Sequence, residues 1–147
     1  MPIRKASALW EGNLEKGRGT VSLGGDKMQV PYGFASRFED GAGSNPEELI
    51  GGAHAGCFSM ALAKELGDAG HPPGQIETTA RVHLEQAGDG FLIPKIELET
   101  EAEVPGVDEE TFQRCAQAAK QGCPLSKVLS AADITLVESG EGTGPFG

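Results

Sequence analysis

NPEELIGGAHAGCFSM, residues 45–60, opens the longest helix that the sequence predicts. Proline is favoured at the first helical position, which makes Asn45 the N-cap and puts Glu48 where a capping box needs a carboxylate. The helix is expected to end at Gly67. Residues 49–63 are uncharged and apolar on every face, which is typical of a helix that is buried all round. A chain this small has too few other residues to cover the whole surface of the helix. We expect an oligomer interface to cover the remaining surface.

Alternating side chains predict a hairpin in the second half of the chain. Apolar residues alternate with glutamates over residues 96–104, and residues 80–85 alternate in the same way. A period of two is typical of strands with one face in water, so the glutamates are interpreted as a solvated face. The glycine-rich turn at residues 87–90 makes the pair antiparallel.

Shorter signals complete an α+β pattern in the order βββ-α-ββ-α-α-β. Three short strands precede the long helix, with a hairpin signal at residues 24–26. After the hairpin, Asp108 caps a helix, a short helix follows Cys123-Pro124, and residues 134–136 form a last strand. We expect a single domain over residues 1–139 and a disordered tail over residues 140–147.

Composition excludes several classes of function. The 147 residues include 12 basic and 22 acidic side chains, a net charge of −10, which would repel a phosphate backbone and argues against a nucleic-acid partner. The uncharged stretch of residues 49–63 would span only ~22 Å as a helix, and a membrane span needs about 20 apolar residues. No secretory signal is visible at the N-terminus, so we expect a cytoplasmic protein in a reducing compartment.

The three cysteines differ in their surroundings. Cys123 precedes a proline at a helix start, where peptide N–H groups lower the pKa of a thiol. Cys57 lies mid-helix among apolar residues, which raises its pKa and fits an inert core thiol unless a cation is brought to it. Cys115 falls on the apolar stripe of its helix and is interpreted as a packing residue. His54, three residues before Cys57, has helical ligand spacing, but no second pair completes a metal site and no acid orients it for hydrolysis.

The residues that carry these cysteines resemble a known family. Residues 45–60, together with GCPLSKVL at residues 122–129, resemble the OsmC/Ohr family of thiol peroxidases. PYGFASRF at residues 31–38 and ALWEG at residues 8–12 match its OsmC branch. The resemblance covers nearly the whole chain except the last eight or so residues.

The resemblance implies a fold, a reaction and a set of site residues. The fold would be an intertwined homodimer, with antiparallel sheets around a long central helix and active sites at the subunit interface. Cys57 would be the peroxidatic thiolate and Cys123 the resolving cysteine, with Arg37 stabilising the thiolate and Glu47 orienting Arg37. Organic hydroperoxides and hydrogen peroxide would be reduced with electrons from a dithiol, either a lipoyl-type protein or a small thiol. No prosthetic group or metal is implied, and the role would be defence against oxidative or osmotic stress.

Two further expectations concern the geometry of the site. Phe34, Phe38, Phe58 and Met60 suit an alkyl hydroperoxide pocket, although the usual role of such residues is in the core. Glu47 and Cys57 are ten residues apart, ~15 Å along a straight helix, so one arginine cannot easily touch both within one chain. We therefore hypothesise that Glu47 reaches the site from the other subunit.

Other classes of function remain open from the sequence. A sulfur carrier or redox sensor on the same fold is compatible with Cys123-Pro124, and a purely structural protein would leave all three thiols slow to react.

Overall fold

The structure is a computed structural model that describes residues 2–141 of the chain. It divides into two compact units whose boundary lies between Leu49 and Ile50. Within the described residues the elements are β1 (Ala6–Glu11), β2 (Arg18–Leu23), β3 (Met28–Tyr32), α1 (Phe34–Phe38), α2 (Pro46–Asp68), β4 (Gln75–Ala87), β5 (Gly90–Glu103), α3 (Glu109–Gly122), α4 (Pro124–Val128) and β6 (Asp133–Glu141). No helix in this part of the chain is long and apolar enough to cross a membrane.

The first unit is an antiparallel meander followed by a short helix. Strand β2 pairs with β1 on one side and β3 on the other. Gly24 and Gly25, in the turn between β2 and β3, both have positive φ, which confirms the hairpin signal and explains the glycines. The helix α1 was not predicted from the sequence. Its start is held locally, since the Ser36 hydroxyl accepts the Gly33 N–H at 2.8 Å.

The second unit contains the predicted hairpin. Strands β4 and β5 are antiparallel, with Ala80 opposite Leu98 and Val82 opposite Ile96. Buried and more exposed side chains alternate along β5, so the glutamate face is confirmed as the wetter one. The Glu97 carboxylate on that face pairs with His83 at 2.6 Å.

Strand β6 extends further than the sequence indicated. It covers Asp133–Glu141 rather than residues 134–136 alone, and it pairs in parallel with β5. The helices α3 and α4 form the crossover that parallel pairing requires. The strand takes in the first two residues of the expected tail. Residues 142–147 lie outside the described residues, and the disorder of that segment and the single-domain organisation stay predictions.

The core of the second unit forms between the β4-β5-β6 sheet and two helices. The side chains that form it include Phe58, Leu62, Leu66, Ile96, Leu98, Val104, Phe112, Ala116 and Ala119. The predicted apolar stripe of α3 is confirmed. Asp108 is the N-cap of this helix, and its carboxylate accepts the Thr111 N–H. Cys115 is buried in this core, as expected of a packing residue.

The long helix α2 corrects the expected end of the helix. It continues past Gly67 to Asp68, and the glycine with positive φ that follows it is Gly70, at +87°. Within one chain the helix buries one stripe and leaves Gly52, Gly56 and Met60 exposed. Cover of this face by an oligomer interface stays a prediction. An added Cβ at Gly52 or at Gly56 would meet nothing within 4 Å in this chain.

Candidate active site

Two of the three cysteines meet in the second unit. Cys57 stands in the middle of α2, and Cys123 is both the C-cap of α3 and the N-cap of α4. Pro124 disfavours helical geometry at the residue before it, and the backbone of Cys123 is extended at φ −64° and ψ 122°. This break between the two helices aims the Cys123 thiol at α2. The two sulfur atoms lie 2.9 Å apart, and both cysteines are free.

The surroundings shift the pKa values of the two thiols in opposite directions. Burial raises the pKa of Cys57, and its hydrogen bond with Cys123 raises that pKa further, against a smaller opposing effect of the Leu125 N–H. Burial also disfavours ionisation of Cys123, but the neighbouring Cys57 thiol and the polar groups of Ser126 and Leu125 at the start of α4 outweigh it and lower the pKa of Cys123. Within one chain, therefore, the thiolate form is favoured at Cys123. Ionisation of Cys57 would need a cation close to its sulfur.

A buried histidine adjoins the thiol pair. His54 is fully buried one turn before Cys57, and its Nε2 lies 2.9 Å from the Ser126 hydroxyl. Burial lowers the pKa of His54, so the ring is neutral at physiological pH. The sequence interpretation missed Ser126. The available signal was its place three residues after Cys123, the N3 position of α4.

The predicted cation lies in the first unit and is already paired. The Nε and Nη2 atoms of Arg37 donate to the two Glu47 carboxylate oxygens at 3.0 and 2.9 Å. This fork is the strong, planar form of an arginine–carboxylate contact. Both residues belong to the same chain, so the pairing of Arg37 with Glu47 needs no second subunit. The hypothesis that Glu47 reaches the Cys57 site from the other subunit stays a prediction.

Local contacts fix the position of this ion pair. Asn45 caps α2 as predicted, since its side-chain oxygen accepts the Glu48 N–H, and its amide nitrogen donates to the Ser36 carbonyl. The start of α2 is thereby attached to α1, and this brings Glu47 to Arg37. Glu47 is 8% exposed, whereas the Arg37 side chain is 36% exposed and keeps a free edge.

An apolar pocket lies beside Arg37 in the first unit. It has a volume of about 260 Å³ and is lined by Trp10, Leu14, Tyr32, Gly33, Phe34, Arg37 and Phe38. The Phe34 and Phe38 rings pack 5.0 Å apart, and the Arg37 guanidinium lies 5.4 Å from the centre of the Phe38 ring. Two of the four predicted pocket residues therefore line one apolar cavity. The sequence interpretation did not single out Trp10, Leu14 or Tyr32 for it.

The other two predicted pocket residues lie elsewhere. Phe58 is fully buried in the core of the second unit, so it has no surface to offer a substrate. Met60 is 77% exposed on the open face of α2. A substrate contact therefore stays a prediction for Phe34, Phe38 and Met60 and is withdrawn for Phe58.

A family profile described as OsmC-like protein matches residues 39–137. The chain belongs to the OsmC-like family. The Escherichia coli K12 protein named peroxiredoxin OsmC is 54% identical over 134 residues, which cover 90% of this chain and 93% of that protein. An organic hydroperoxide resistance protein of Xanthomonas axonopodis pv. citri is 34% identical over 98 residues, 65% of this chain and 67% of that protein. The names of these relatives support a peroxidase.

Solved structures share the OsmC-like fold. An OsmC protein of Legionella pneumophila, titled an organic hydroperoxide resistance protein, superposes with a TM-score of 0.71 at 20% identity, covering 95% of this chain and 99% of that one. OhrB of Bacillus subtilis, an organic hydroperoxide resistance protein, gives 0.69 at 23% identity, covering 92% and 98%. At these identities the likeness establishes the fold.

Proposed function

We propose that this OsmC-like protein is a cysteine-based peroxidase that reduces organic hydroperoxides and hydrogen peroxide. The observation that carries the proposal is the pair of free thiols of Cys57 and Cys123, with sulfurs 2.9 Å apart. A pair that close needs only a small shift to form a disulfide. Its occurrence in a chain 54% identical to a protein named peroxiredoxin favours a peroxide as the oxidant.

The proposed cycle has three balanced steps. Cys57, as thiolate, attacks the outer peroxide oxygen; an S–O bond forms, the O–O bond breaks, and the leaving oxygen takes a proton to become an alcohol or water. Cys123 then attacks the sulfenic sulfur of Cys57, forming the disulfide and releasing water. An external dithiol, either a lipoyl-type protein or a small thiol, reduces the disulfide by exchange and is itself oxidised.

Arg37 is the proposed activating cation, and we place it at the Cys57 of a partner subunit. The Arg37–Glu47 fork is formed within one chain. Ten residues of α2 separate Glu47 from Cys57, ~15 Å of helix rise. A homodimer in which one subunit supplies the ion pair and the other the thiols satisfies both facts. It also covers the open face of α2 at Gly52, Gly56 and Met60.

The apolar pocket beside Arg37 suits the tail of the substrate. Aromatic rings line it, and it holds one cation and no acidic side chain among its lining residues. A cavity of about 260 Å³ approaches the ~300 Å³ at which small-molecule sites begin. We propose that it holds the alkyl group of an organic hydroperoxide, in a protein of the reducing cytoplasm that defends against oxidative or osmotic stress.

Single substitutions in a steady-state assay with cumene hydroperoxide and a dithiol test the cycle. Cys57→Ser should abolish turnover. Cys123→Ser should allow one fast peroxide reduction and then stall at a sulfenic acid, because no resolving thiol remains. Cys115→Ser is the matched control and should keep its turnover, since Cys115 is buried and its thiol is directed at the Glu65 carbonyl.

Two outcomes would contradict the proposal. Loss of turnover in Cys115→Ser would mean that the reacting pair is wrong. A Cys57–Cys123 disulfide that forms without consuming peroxide would favour a redox sensor or a sulfur carrier.

A further inference from the structure

Two side-chain contacts join α2 to the region of α4, and they lie about one helical turn apart. Cys57 of α2 meets Cys123, the N-cap of α4, with the two sulfur atoms 2.9 Å apart. Three residues before Cys57, the Nε2 atom of His54 lies 2.9 Å from the hydroxyl oxygen of Ser126, which follows Cys123 by three residues. Three residues of helix rise ~4.5 Å, so the second contact lies close to the thiols but contains neither sulfur.

The hydrogen bond between His54 and Ser126 is enclosed by the protein. His54 is 0% exposed and Ser126 is 7% exposed, and Ser126 is the buried residue of α4. The other ring nitrogen of His54, Nδ1, has no hydrogen-bond partner among the described residues. Separation of α4 from α2 would therefore leave two buried polar groups unpaired, and such groups are costly to leave without a partner.

The contact between the two thiols is a weak attachment by comparison. Sulfur is a weak donor and a weak acceptor of hydrogen bonds. The helix α4 has five residues, and its side chains at Lys127 and Val128 are exposed. The thiol contact also depends on a proton that is lost when either cysteine reacts, whereas the bond between His54 and Ser126 contains no reacting atom.

We propose that His54 and Ser126 are positioning residues whose buried hydrogen bond attaches α4 to α2 and so holds Cys123 within reach of Cys57. Their part in the resolving step rests on the proposed function. In that step the S–S bond forms between Cys123 and Cys57, and the S–O bond of the Cys57 sulfenic acid breaks. The departing hydroxide and the proton of the Cys123 thiol together make one water.

The stability of the Cys57–Cys123 disulfide tests this positioning without any peroxide. In a Cys115→Ser background, the protein is equilibrated with mixtures of reduced and oxidised dithiothreitol, and the disulfide fraction is measured by alkylation and mass spectrometry. Without the cross-helix bond, α4 is less restricted in the reduced protein, so closing the disulfide costs more conformational entropy. Ser126→Ala and His54→Phe should each lower the equilibrium constant for disulfide formation about tenfold, which raises the reduction potential by about 30 mV.

Two further variants separate the hydrogen bond from packing. The double variant His54→Phe, Ser126→Ala should shift the potential no more than either single change, because both remove the same bond. His54→Gln keeps an amide that can bond the Ser126 hydroxyl, so it should restore most of the shift that His54→Phe causes.

Thr100→Val is the matched control for a general loss of stability. The Thr100 hydroxyl is buried in the core of the same unit, where it lies 2.9 Å from the Thr78 hydroxyl and donates to the Glu77 carbonyl at 3.2 Å. This variant should lower the melting temperature and leave the reduction potential of the cysteine pair unchanged.

Three results would overturn the inference. They are an unchanged potential in both Ser126→Ala and His54→Phe, additive shifts in the double variant, and a shift in Thr100→Val as large as theirs. Because the measurement uses no hydroperoxide, the predicted shifts would support the positioning role even in a protein that fails to reduce hydroperoxides, and that failure would contradict the proposed function alone.

Discussion

At the scale of residues, the proposed site depends on an arginine whose geometry is set before any substrate arrives. The fork between Arg37 and Glu47 fixes the guanidinium plane, and in the proposed site the exposed part of Arg37 would meet a thiolate and a peroxide oxygen. Because burial and the hydrogen bond with Cys123 both raise the pKa of Cys57, the proposed peroxidatic thiolate would depend on this cation.

Substitutions at Arg37 should separate charge from geometry. Arg37→Lys keeps the positive charge but loses the two-bond fork with Glu47, a contact worth about 1.5–3 kcal/mol. We expect kcat/KM to fall by about 10–100-fold, with little change in its pH profile. Arg37→Gln also removes the charge. The pKa of Cys57 then rises further, so the rate should be lowest at neutral pH and recover as the pH is raised. Stopped-flow kinetics across pH would show this, and equal profiles for the two variants would contradict it.

The sequence predicted these residues unevenly. Cys123 stood out from its place before a proline at a helix start, whereas the proposed roles of Cys57, Arg37 and Glu47 came from the family resemblance. Single-chain pairing of Arg37 with Glu47 was missed because the helix α1, which presents Arg37, has no periodic signal over its five residues. The His54–Ser126 contact joins residues 72 positions apart, so no local pattern could show it.

At the scale of elements, α2 and the β4–β5 hairpin were predictable because their signals are long and regular. The end of α2 was not, because either Gly67 or Gly70 could serve as its stop. Gly70 has φ of +87°, a left-handed conformation that other residues adopt at a cost, whereas Gly67 is helical. The pairing of β6 was missed because parallel partners lie far apart in sequence.

The two glycines provide a matched pair of substitutions. Gly67→Ala should stabilise the protein by about 0.5–1 kcal/mol, because the helix gains a better former and the added Cβ enters open space. Gly70→Ala should destabilise it by about 1–2 kcal/mol through left-handed strain. Urea unfolding of both variants measures the difference, and equal effects would show that α2 ends at Gly67 after all.

At the scale of the whole molecule, the proposed dimer makes each subunit incomplete. One subunit would bring Arg37 and Glu47, and its partner would bring Cys57 and Cys123. The open face of α2, with two glycines and an exposed methionine, is the surface that we expect the partner to cover.

Mixing two inactive variants tests this arrangement. Arg37→Ala and Cys57→Ser should each be inactive alone. In mixed dimers, one site would combine the intact Arg37 of one subunit with the intact Cys57 of the other. Random exchange should therefore restore about a quarter of the wild-type activity, since about half of the dimers are mixed and one site in each is complete. Mixtures that stay inactive while the subunits exchange would place both residues in one chain.

The parallel pairing of β6 with β5 has a consequence for how the protein matures. Cys123 lies on the crossover between these strands, 66 residues from Cys57. Closing so long a loop and pairing parallel strands are slow steps of folding. A newly made chain would therefore carry three ordinary thiols, and the proposed redox pair would form only when the crossover packs against α2. The Cys57–Cys123 disulfide would then form only in the folded protein. A chain that has not yet folded would not form this crosslink.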